Sequence, residues 1–294
     1  MRVTALGAKQ VLQRRSTPTV QILRNMSSST TSRASGNELN VDLFEDGRLA
    51  RVSFARPQRM NALSFPMGDA LLNLDKNLEE SVLSVVITGE GGRAFSTGRD
   101  LKDSKSHTPE QADAYMKLAR DTVLAIKAMS RPTVAAVNGF AFGWGMEVAL
   151  ACDLRVVNKE ATLCFPECGL GIFPGAMGTV LLPRLVGPAI AKDLILTSRR
   201  FLGQEAFELG VANRVAENAE QCVDIAMELA GQISNNAPLG IKGACTVIDE
   251  GLDLSFAEHA ALSDKHRFPL NDTEDFKEAL VAFAEGRKPS FKGR

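Results

Sequence analysis

One stretch, residues 131–167, restricts what this chain can fold into more than any other part of the sequence. It opens with the apolar, β-branched run 133–137, breaks on a series of glycines, and then enters a helix-like segment that carries Glu147. A second β-like run at 154–157 follows, and the stretch ends on Glu167 in a turn rich in proline and glycine. Two strand-like runs separated by a helical segment predict parallel pairing through a crossover helix, and hence an α/β fold.

The two acids of this stretch, Glu147 and Glu167, lie among apolar residues and glycines. A buried carboxylate needs a partner or a shifted pKa, so a pair of them in such surroundings indicates acid–base chemistry. Taken alone, each acid is more often a solvated helix residue or a turn residue than a catalyst. A glycine turn, likewise, more often only changes the direction of the chain.

The glycine turn before Glu147 favours a second kind of chemistry. A helix that begins near Gly143 presents backbone N–H groups that have no internal partner, at the positive end of the helix dipole. Such a turn is able to bind an anion or a developing oxyanion. A second strand-to-turn element at 96–99 offers another N–H, and two converging donors are typical of a site that stabilises an enolate oxygen. Neither glycine pattern has the spacing of a dinucleotide-binding or Walker A loop.

The rest of the chain mixes strands and helices up to about residue 216 and is helical after it. A hairpin is predicted from the alternating runs 40–45 and 49–55 around Asp46-Gly47. Strands are also predicted at 82–88 and 211–215, and helices at 61–80, 109–129, 204–209, 217–234, 239–250, 255–268 and 273–286.

Composition indicates a globular protein with a distinct N-terminal leader. The chain has 294 residues, of which 45% are hydrophobic and 23% charged, which suits one large domain or one domain with an appendage. No apolar run reaches the length of a membrane span. Residues 1–36 hold six basic residues, no acidic residue and many Ser and Thr, which predicts a mitochondrial transit peptide, with a disordered basic tail as the alternative. The remaining body is acidic, which argues against broad nucleic-acid binding.

Cysteine and histidine usage does not indicate a metal site. The five cysteines occur without a secretory signal, which favours free thiols over a disulfide framework. Neither the cysteines nor the three histidines have the spacing of a metal site.

Three ordered motifs carry a resemblance to a known family. The sequence reads AFSTGRDL at 94–101, NGFAFGWGME at 138–147, and FPE followed by GLGIFPGA at 165–176. In this order and spacing they resemble the motifs of the crotonase (enoyl-CoA hydratase/isomerase) superfamily, and the resemblance extends from about Glu38 to the C-terminus.

The resemblance implies a fold, an assembly and a substrate class. The fold would be a spiral of ββα units in residues 37–235. A helical C-terminal region in residues 236–294 would mediate oligomerisation into a homotrimer or homohexamer. The substrate would be an acyl-CoA of fatty acid metabolism, with no further cofactor, no metal and no nucleic-acid partner. Together with the leader at 1–36, this places the enzyme in the mitochondrial matrix.

The resemblance also implies roles for individual residues. The backbone N–H groups of Arg99 and Trp144 would form an oxyanion hole for the thioester carbonyl. Glu147 would act mainly as the base that activates water, and Glu167 mainly as the acid that protonates the α-carbon, which predicts a 2-enoyl-CoA hydratase. Further contacts with the substrate or CoA are implied for Ala94, Thr97, Asp100, Leu101 and Gly143.

Two positions depart from the family pattern. Trp144 replaces the usual middle glycine, so an indole crowds the acyl region, and Arg99 stands where a small or apolar residue is commoner and would face CoA or a polar acyl group. Retention of both acids favours hydration over isomerisation of an enoyl-CoA or dehydration of a hydroxyacyl-CoA. RNA binding, which one branch of the family performs with lysines of its first helix, is disfavoured because the helix at 61–80 holds a single lysine, Lys76. A catalytically inactive homologue is the remaining alternative.

Overall fold

The computed structural model describes residues 31–32, 38–100 and 105–294 of the chain. Most of the predicted leader, residues 1–36, and one predicted site residue, Leu101, lie outside the described residues, so these two predictions stay predictions. Within the described part of the chain, no helix combines the length and the apolar composition that crossing a bilayer requires.

Two β-sheets lie at the centre of the fold, and their strands are numbered along the chain. The seven-stranded sheet contains, in spatial order, β1 (Thr31–Ser32), β2 (Leu39–Phe44), β3 (Leu49–Phe54), β4 (Ser84–Gly89), β6 (Thr133–Val137), β8 (Leu154–Asn158) and β11 (Arg214–Ala216). The four-stranded sheet contains β10 (Phe201–Leu202), β9 (Thr162–Cys164), β7 (Phe140–Phe142) and β5 (Ala94–Ser96). From β3 to β11, every pair of neighbours in the large sheet is parallel, which confirms the α/β prediction.

The chain alternates between the two sheets. After β4 it enters β5, after β6 it enters β7, and after β8 it enters β9. A helix follows each of these strand pairs: α3 (Pro109–Lys127), α4 (Trp144–Ala151) and α5 (Gly178–Leu196). This repeated strand–strand–helix unit is the spiral that the family resemblance implies, and it brings the ends of three small-sheet strands together with the helices that follow them.

The N-terminal hairpin is confirmed in position and register. Strands β2 and β3 pair antiparallel, with Phe44 opposite Leu49 across the turn. Gly47 adopts a φ of +85°, a conformation that glycine reaches without strain. Every second residue of β3, including Val52 and Phe54, is fully buried in the core, as the alternating pattern predicts.

The helix predicted at 61–80 is shorter than predicted and broken. Its two parts are α1 (Phe65–Leu72) and α2 (Leu74–Asn77). Ser64 caps the N-terminus of α1, because its hydroxyl accepts a hydrogen bond from the backbone N–H of the third residue of the helix. The helix cannot begin earlier, because the Asn61 amide donates to the carbonyls of Glu90 and Ala94, and the Asn61 backbone is left-handed with a φ of 54°.

The remaining helices lie close to their predicted positions. They are α6 (Gly203–Glu208), α7 (Ala219–Ser234), α8 (Pro238–Gly251), α9 (Phe256–Arg267) and α10 (Glu274–Glu285). One hydrophobic core fills the space between the sheets and α1, α3, α4 and α5, and a second lies on the other face of the large sheet, under α7. Burial of both faces explains why the parallel strands read as continuous apolar runs.

A buried arginine fixes the C-terminal end of α4. The guanidinium of Arg155, which is 4% exposed, donates to the carbonyl oxygens of Cys152 at 2.6 Å and Ala149 at 3.3 Å, and to that of Val211 at 2.7 Å. The last carbonyls of a helix have no partner within it, and they carry the negative end of its dipole. Arg155 therefore ties α4, which carries Glu147, to strand β8 and to the segment before β11.

Replacement of Arg155 by methionine removes this cap and leaves several buried carbonyl groups without a donor. We expect Arg155→Met to lower the free energy of unfolding by about 3 kcal/mol, because each unsatisfied buried acceptor costs about 1–3 kcal/mol. The measurement is the denaturant midpoint. Arg214→Met is the matched control, because Arg214 is exposed on β11, and it changes the stability by less than about 0.5 kcal/mol. Equal midpoints for the two variants would contradict this account.

Candidate active site

A cavity of about 280 Å³ lies where the N-terminus of α4 meets α3 and the segment that follows β9. The topology explains its position. Strand β7 ends at Phe142, Gly143 turns the chain, and α4 begins at Trp144, so the small sheet places a helix N-terminus in the cavity wall. Other parts of the wall come from α3 and from Pro166–Glu167, just before the 3₁₀ turn Cys168–Leu170.

Glu147 lies in the first turn of α4 and is 2% exposed. Its Oε1 accepts hydrogen bonds from the backbone N–H of Ala176 at 2.9 Å and of Gly178 at 2.8 Å. The pKa of Glu147 is raised to about 7, mainly by burial and also by the charge of Glu167, while the two N–H groups oppose the rise. This carboxyl therefore changes its ionisation near neutral pH, where a general acid or base is most effective.

Glu167 approaches the same cavity from the segment after β9. Its Oε1 lies beside Gly143, where a Cβ atom would come within 2.5 Å of it, and Gly143 has a φ of +50°, so only glycine fits here. Burial raises the pKa of Glu167 as well. Its Oε2 is buried and has no hydrogen-bond partner among the described residues. An unsatisfied buried oxygen in a cavity wall is typical of an atom that a ligand or water contacts.

The turn after β5 lies against the N-terminus of α4. A Cβ atom on Gly98 would be 2.6 Å from the carbonyl oxygen of Phe142 and 3.1 Å from the backbone nitrogen of Trp144. Trp144 is the first residue of α4, a position whose N–H has no partner inside a helix. Arg99 and Trp144 both line the cavity. Backbone donors in this arrangement can stabilise negative charge that develops on an oxygen atom.

The indole of Trp144 is anchored in the wall. Its Nε1 donates to the carbonyl of Ala119 at 3.1 Å and to Oγ1 of Thr122 at 3.0 Å, both on α3. Its ring centre lies 5.7 Å from that of Phe54, and the residue is 4% exposed. The indole is therefore a packing residue and a fixed boundary of the cavity at the same time.

The cavity brings together six of the residues that the sequence singles out, which are Thr97, Arg99, Gly143, Trp144, Glu147 and Glu167. Two others lie elsewhere. Ala94 is buried in β5, and its carbonyl accepts the Asn61 amide. Asp100 is 8% exposed and forms ion pairs with Arg59 at 3.4 Å and Arg56 at 3.8 Å. Substrate contacts of Ala94, Asp100 and Leu101 stay predictions.

Sequence reasoning missed two groups of residues in the site. The N–H donors of Ala176 and Gly178 belong to the run PGAMG, where a Cβ atom on Gly178 would be 3.0 Å from Oε1 of Glu147, a proximity that only the folded structure shows. The α3 residues Tyr115, Met116 and Ala119 also line the cavity. They carried no signal, since the apolar face of a helix has the same pattern whether it packs against a core or lines a cavity.

The prediction of free thiols is confirmed. All five cysteines are free thiols. Among the described residues, no group of three or more His, Cys, Asp or Glu side chains is arranged to hold a metal ion.

Comparison with known proteins identifies the family. Residues 45–294 match the family model described as enoyl-CoA hydratase/isomerase. The chain is 36% identical over 261 residues to the short-chain-enoyl-CoA hydratase of Clostridium acetobutylicum. The aligned residues cover 87% of this chain and 98% of that protein. It is 37% identical over 258 residues to the probable enoyl-CoA hydratase 2, mitochondrial, of Arabidopsis thaliana, over 87% of this chain and 85% of that one.

Similarity to a solved structure supports the same family. The crystal structure of an enoyl-CoA hydratase from Bacillus anthracis matches with a TM-score of 0.84 and 34% sequence identity, over 87% of this chain and 100% of that one. The motifs, the spiral of strand–strand–helix units and these similarities agree, and the chain belongs to the enoyl-CoA hydratase/isomerase family.

Proposed function

We propose that this protein is a 2-enoyl-CoA hydratase, a hydro-lyase that adds water across the C2=C3 double bond of an acyl-CoA thioester. The observation that carries the proposal is the placement of Glu147 and Glu167 in one cavity beside a helix N-terminus, with the pKa of both acids raised by burial. Relatives that are named enoyl-CoA hydratases, at 36% and 37% identity, support the same reaction.

The first requirement of this reaction is stabilisation of an enolate. Addition of water at C3 moves electron density to the thioester oxygen, which would accept hydrogen bonds from the backbone N–H groups of Arg99 and Trp144. A donor of this kind contributes about 3–4 kcal/mol to transition-state stabilisation in oxyanion sites. Both donors belong to the backbone, so the unusual side chains at these two positions do not remove them.

The second requirement is a base for water and an acid for C2. The two N–H bonds to Oε1 of Glu147 fix the carboxylate, and its other oxygen would take the proton from the attacking water. Glu167, with its raised pKa and an unpartnered Oε2, would give a proton to C2. The two carboxyls interact, so their titration belongs to the pair.

Isomerisation of an enoyl-CoA through the same enolate is the closest alternative. It moves a proton between two carbon atoms and needs no group that activates water. Two acids in one cavity therefore favour hydration. Product analysis separates the two reactions, because a hydratase yields the 3-hydroxyacyl-CoA and an isomerase only shifts the double bond.

Removal of either acid should abolish most of the hydration activity. We expect Glu147→Gln and Glu167→Gln each to lower kcat for crotonyl-CoA by about 10²–10⁴-fold, the usual contribution of a general acid or base. The assay follows the loss of the conjugated absorbance. Glu250→Gln, which changes an exposed glutamate on α8, is the control and keeps wild-type kcat. Wild-type hydration by either active-site variant would refute the two-acid mechanism.

The raised pKa of Glu147 also predicts the pH dependence. As the pH falls below about 7, Glu147 binds a proton and can no longer accept one from water, so kcat/KM falls on the acid side. Glu167 must hold the proton that it donates, so the rate also falls once the pH is high enough to remove that proton. Since the folded protein holds this proton more tightly than the unfolded chain, the Glu147 contribution to stability decreases as pH rises from 4.5 to about 7. A pH–rate profile that stays flat down to pH 5 would contradict the assignment.

We further propose that the protein is a homotrimer or homohexamer. The helical C-terminal part exposes large apolar side chains, with Phe256 93% exposed and Phe283 88% exposed. Surfaces of this kind mark interfaces between proteins. Light scattering of the purified protein should give a mass of three or six chains of 31.6 kDa, reduced where the leader is removed. A monomer at micromolar concentration would contradict this proposal.

The proposed location is the mitochondrial matrix. The acid-free, basic leader at 1–36 supports it, and so does the similarity to the Arabidopsis protein whose name includes "mitochondrial". Fractionation of cells that express the full chain, or a chain beginning at residue 37, tests it, because only the full chain should enter mitochondria.

A further inference from the structure

The segment that carries Glu167 is held by a residue that has no part in the chemistry proposed above, namely Ser198. The segment lies between β9 and the 3₁₀ turn Cys168–Leu170. The carbonyl oxygen of Glu167 accepts hydrogen bonds from the backbone N–H groups of Leu170 at 2.9 Å and Ile172 at 3.1 Å. These bonds join Glu167 to the turn, so a contact that holds the turn also holds the acid.

Ser198 contacts the segment on both sides of Glu167. Its Oγ accepts a hydrogen bond from the backbone N–H of Gly169, just after Glu167, at 2.9 Å. Its carbonyl oxygen accepts a hydrogen bond from the thiol of Cys164, just before Glu167, at 3.3 Å. One residue therefore bridges the beginning and the end of the short stretch that presents the acid to the cavity.

The carboxyl of Glu167 depends on its backbone more than that of Glu147 does. Two backbone N–H groups fix Oε1 of Glu147 directly. In contrast, Oε2 of Glu167 has no hydrogen-bond partner among the described residues, and its Oε1 lies against Gly143. The position of this carboxyl is therefore set mainly by the chain segment that carries it.

Ser198 occupies this place in an unfavourable backbone conformation. It follows the end of α5 and has a φ of 51°, in the left-handed region that residues with a Cβ atom rarely adopt. Glycine is the usual residue at such a helix end, because it reaches this φ without strain. Residues held in such conformations cluster at functional sites. A glycine would suit the backbone better here, but it would not provide the hydroxyl to which Gly169 donates.

Helix α5 connects the supports of the two acids. Its first residue, Gly178, donates to Oε1 of Glu147, and Ser198 lies just beyond its other end. A straight helix of 19 residues would be about 28 Å long, too long for both ends to contact one site. The helix bends at Gly187, whose φ of 78° and ψ of 161° are essentially restricted to glycine. The bend explains how both ends of one helix support one cavity.

We propose that Ser198 is a positioning residue, which fixes the turn after Glu167 and so holds the carboxyl beside Gly143, facing C2 of the acyl group. It acts only through Glu167 and touches neither the substrate nor the reacting atoms. This inference rests on the proposed hydratase function and adds a residue to the same site. Loss of the hydroxyl should slow the chemical step, because misplacement of a reacting group by about 1 Å costs up to about 10²-fold in rate.

The test uses substitutions that separate the hydroxyl from the backbone conformation. In the full-length protein, Ser198→Ala and Ser198→Gly should each lower kcat for crotonyl-CoA by about 10-fold and change KM by less than about 2-fold. Ser198→Gly should nevertheless unfold at a higher denaturant concentration than Ser198→Ala, because glycine adopts a positive φ without strain. Ser198→Asn should recover most of the lost kcat, because asparagine tolerates this φ and its side-chain oxygen accepts hydrogen bonds.

The pH profile gives a readout that a loss of stability alone would not change. Burial raises the pKa of Glu167. A loosened turn exposes this carboxyl to more water, so its pKa falls towards the ordinary value and it loses its proton at lower pH. The basic limb of the kcat profile should therefore move to lower pH in Ser198→Ala and Ser198→Gly, and it should return in Ser198→Asn.

Thr197→Ala is the matched control. The hydroxyl of Thr197 also bonds to the backbone, because it donates to the carbonyl of Asp193 at 2.6 Å and accepts from the N–H of Arg199 at 3.3 Å. Neither partner belongs to the segment of Glu167. This variant should keep the wild-type kcat, KM and pH profile.

Two results overturn the inference. One is a wild-type kcat in both Ser198→Ala and Ser198→Gly, which would show that Glu167 keeps its place without the hydroxyl. The other is a kcat that follows the denaturant midpoint across the variants with an unmoved pH profile, which would show a purely structural role.

Failure of the proposed hydratase function gives a different result, in which the wild type hydrates no enoyl-CoA. Crystal structures of the wild type and of Ser198→Gly then decide the question. The inference expects the carboxyl of Glu167 to move away from Gly143 in the variant, and an unchanged carboxyl position overturns it.

Discussion

Two backbone hydrogen bonds, from Ala176 and Gly178 to Oε1 of Glu147, connect the parts of the chain on which the site depends. They join the first turn of α4 to Gly178, where α5 begins, and to Ala176 just before it, and they partly compensate the cost of burying a carboxyl among apolar residues. The balance is incomplete, because burial still raises the pKa of Glu147 to about 7. A fully compensated carboxylate would be too weak a base for work at neutral pH, and an uncompensated one would stay protonated.

The spiral topology explains how this site is assembled from short elements. Each strand of the large sheet is followed by a strand of the small sheet, so the ends of β5, β7 and β9 lie side by side. Those ends carry, respectively, the turn of Gly98 and Arg99, the N-terminus of α4, and the segment of Glu167. The large sheet, with a hydrophobic core on both faces, provides the rigid support, and the small sheet places the groups to which we assign the chemistry.

Trp144 and Arg99 show how a backbone arrangement accommodates side chains that depart from the family pattern. The proposed oxyanion donors are backbone N–H groups, so their positions depend on the turns at Gly98 and Gly143 and not on the side chains next to them. The indole N–H of Trp144 donates its hydrogen bonds to α3, whereas the guanidinium of Arg99 lies in the cavity wall over the ring of Tyr115. The side chains of both residues thus belong to the cavity wall, whereas the proposed chemistry uses only their backbone N–H groups.

The sequence by itself determined the features that depend on neighbouring residues. The hairpin at Asp46-Gly47, the parallel strand runs, the turn at Gly143 and the two acids were all readable from local patterns, because strand period, turn chemistry and helix capping act within a few positions. Only the tertiary structure decided which groups those acids meet. The donors to Glu147 come from about thirty residues further along the chain, the ring under Arg99 comes from α3, and the amide of Asn61 shortens the first helix by bonding to Glu90 and Ala94. Such contacts follow from how the sheets and helices pack, and no local pattern encodes them.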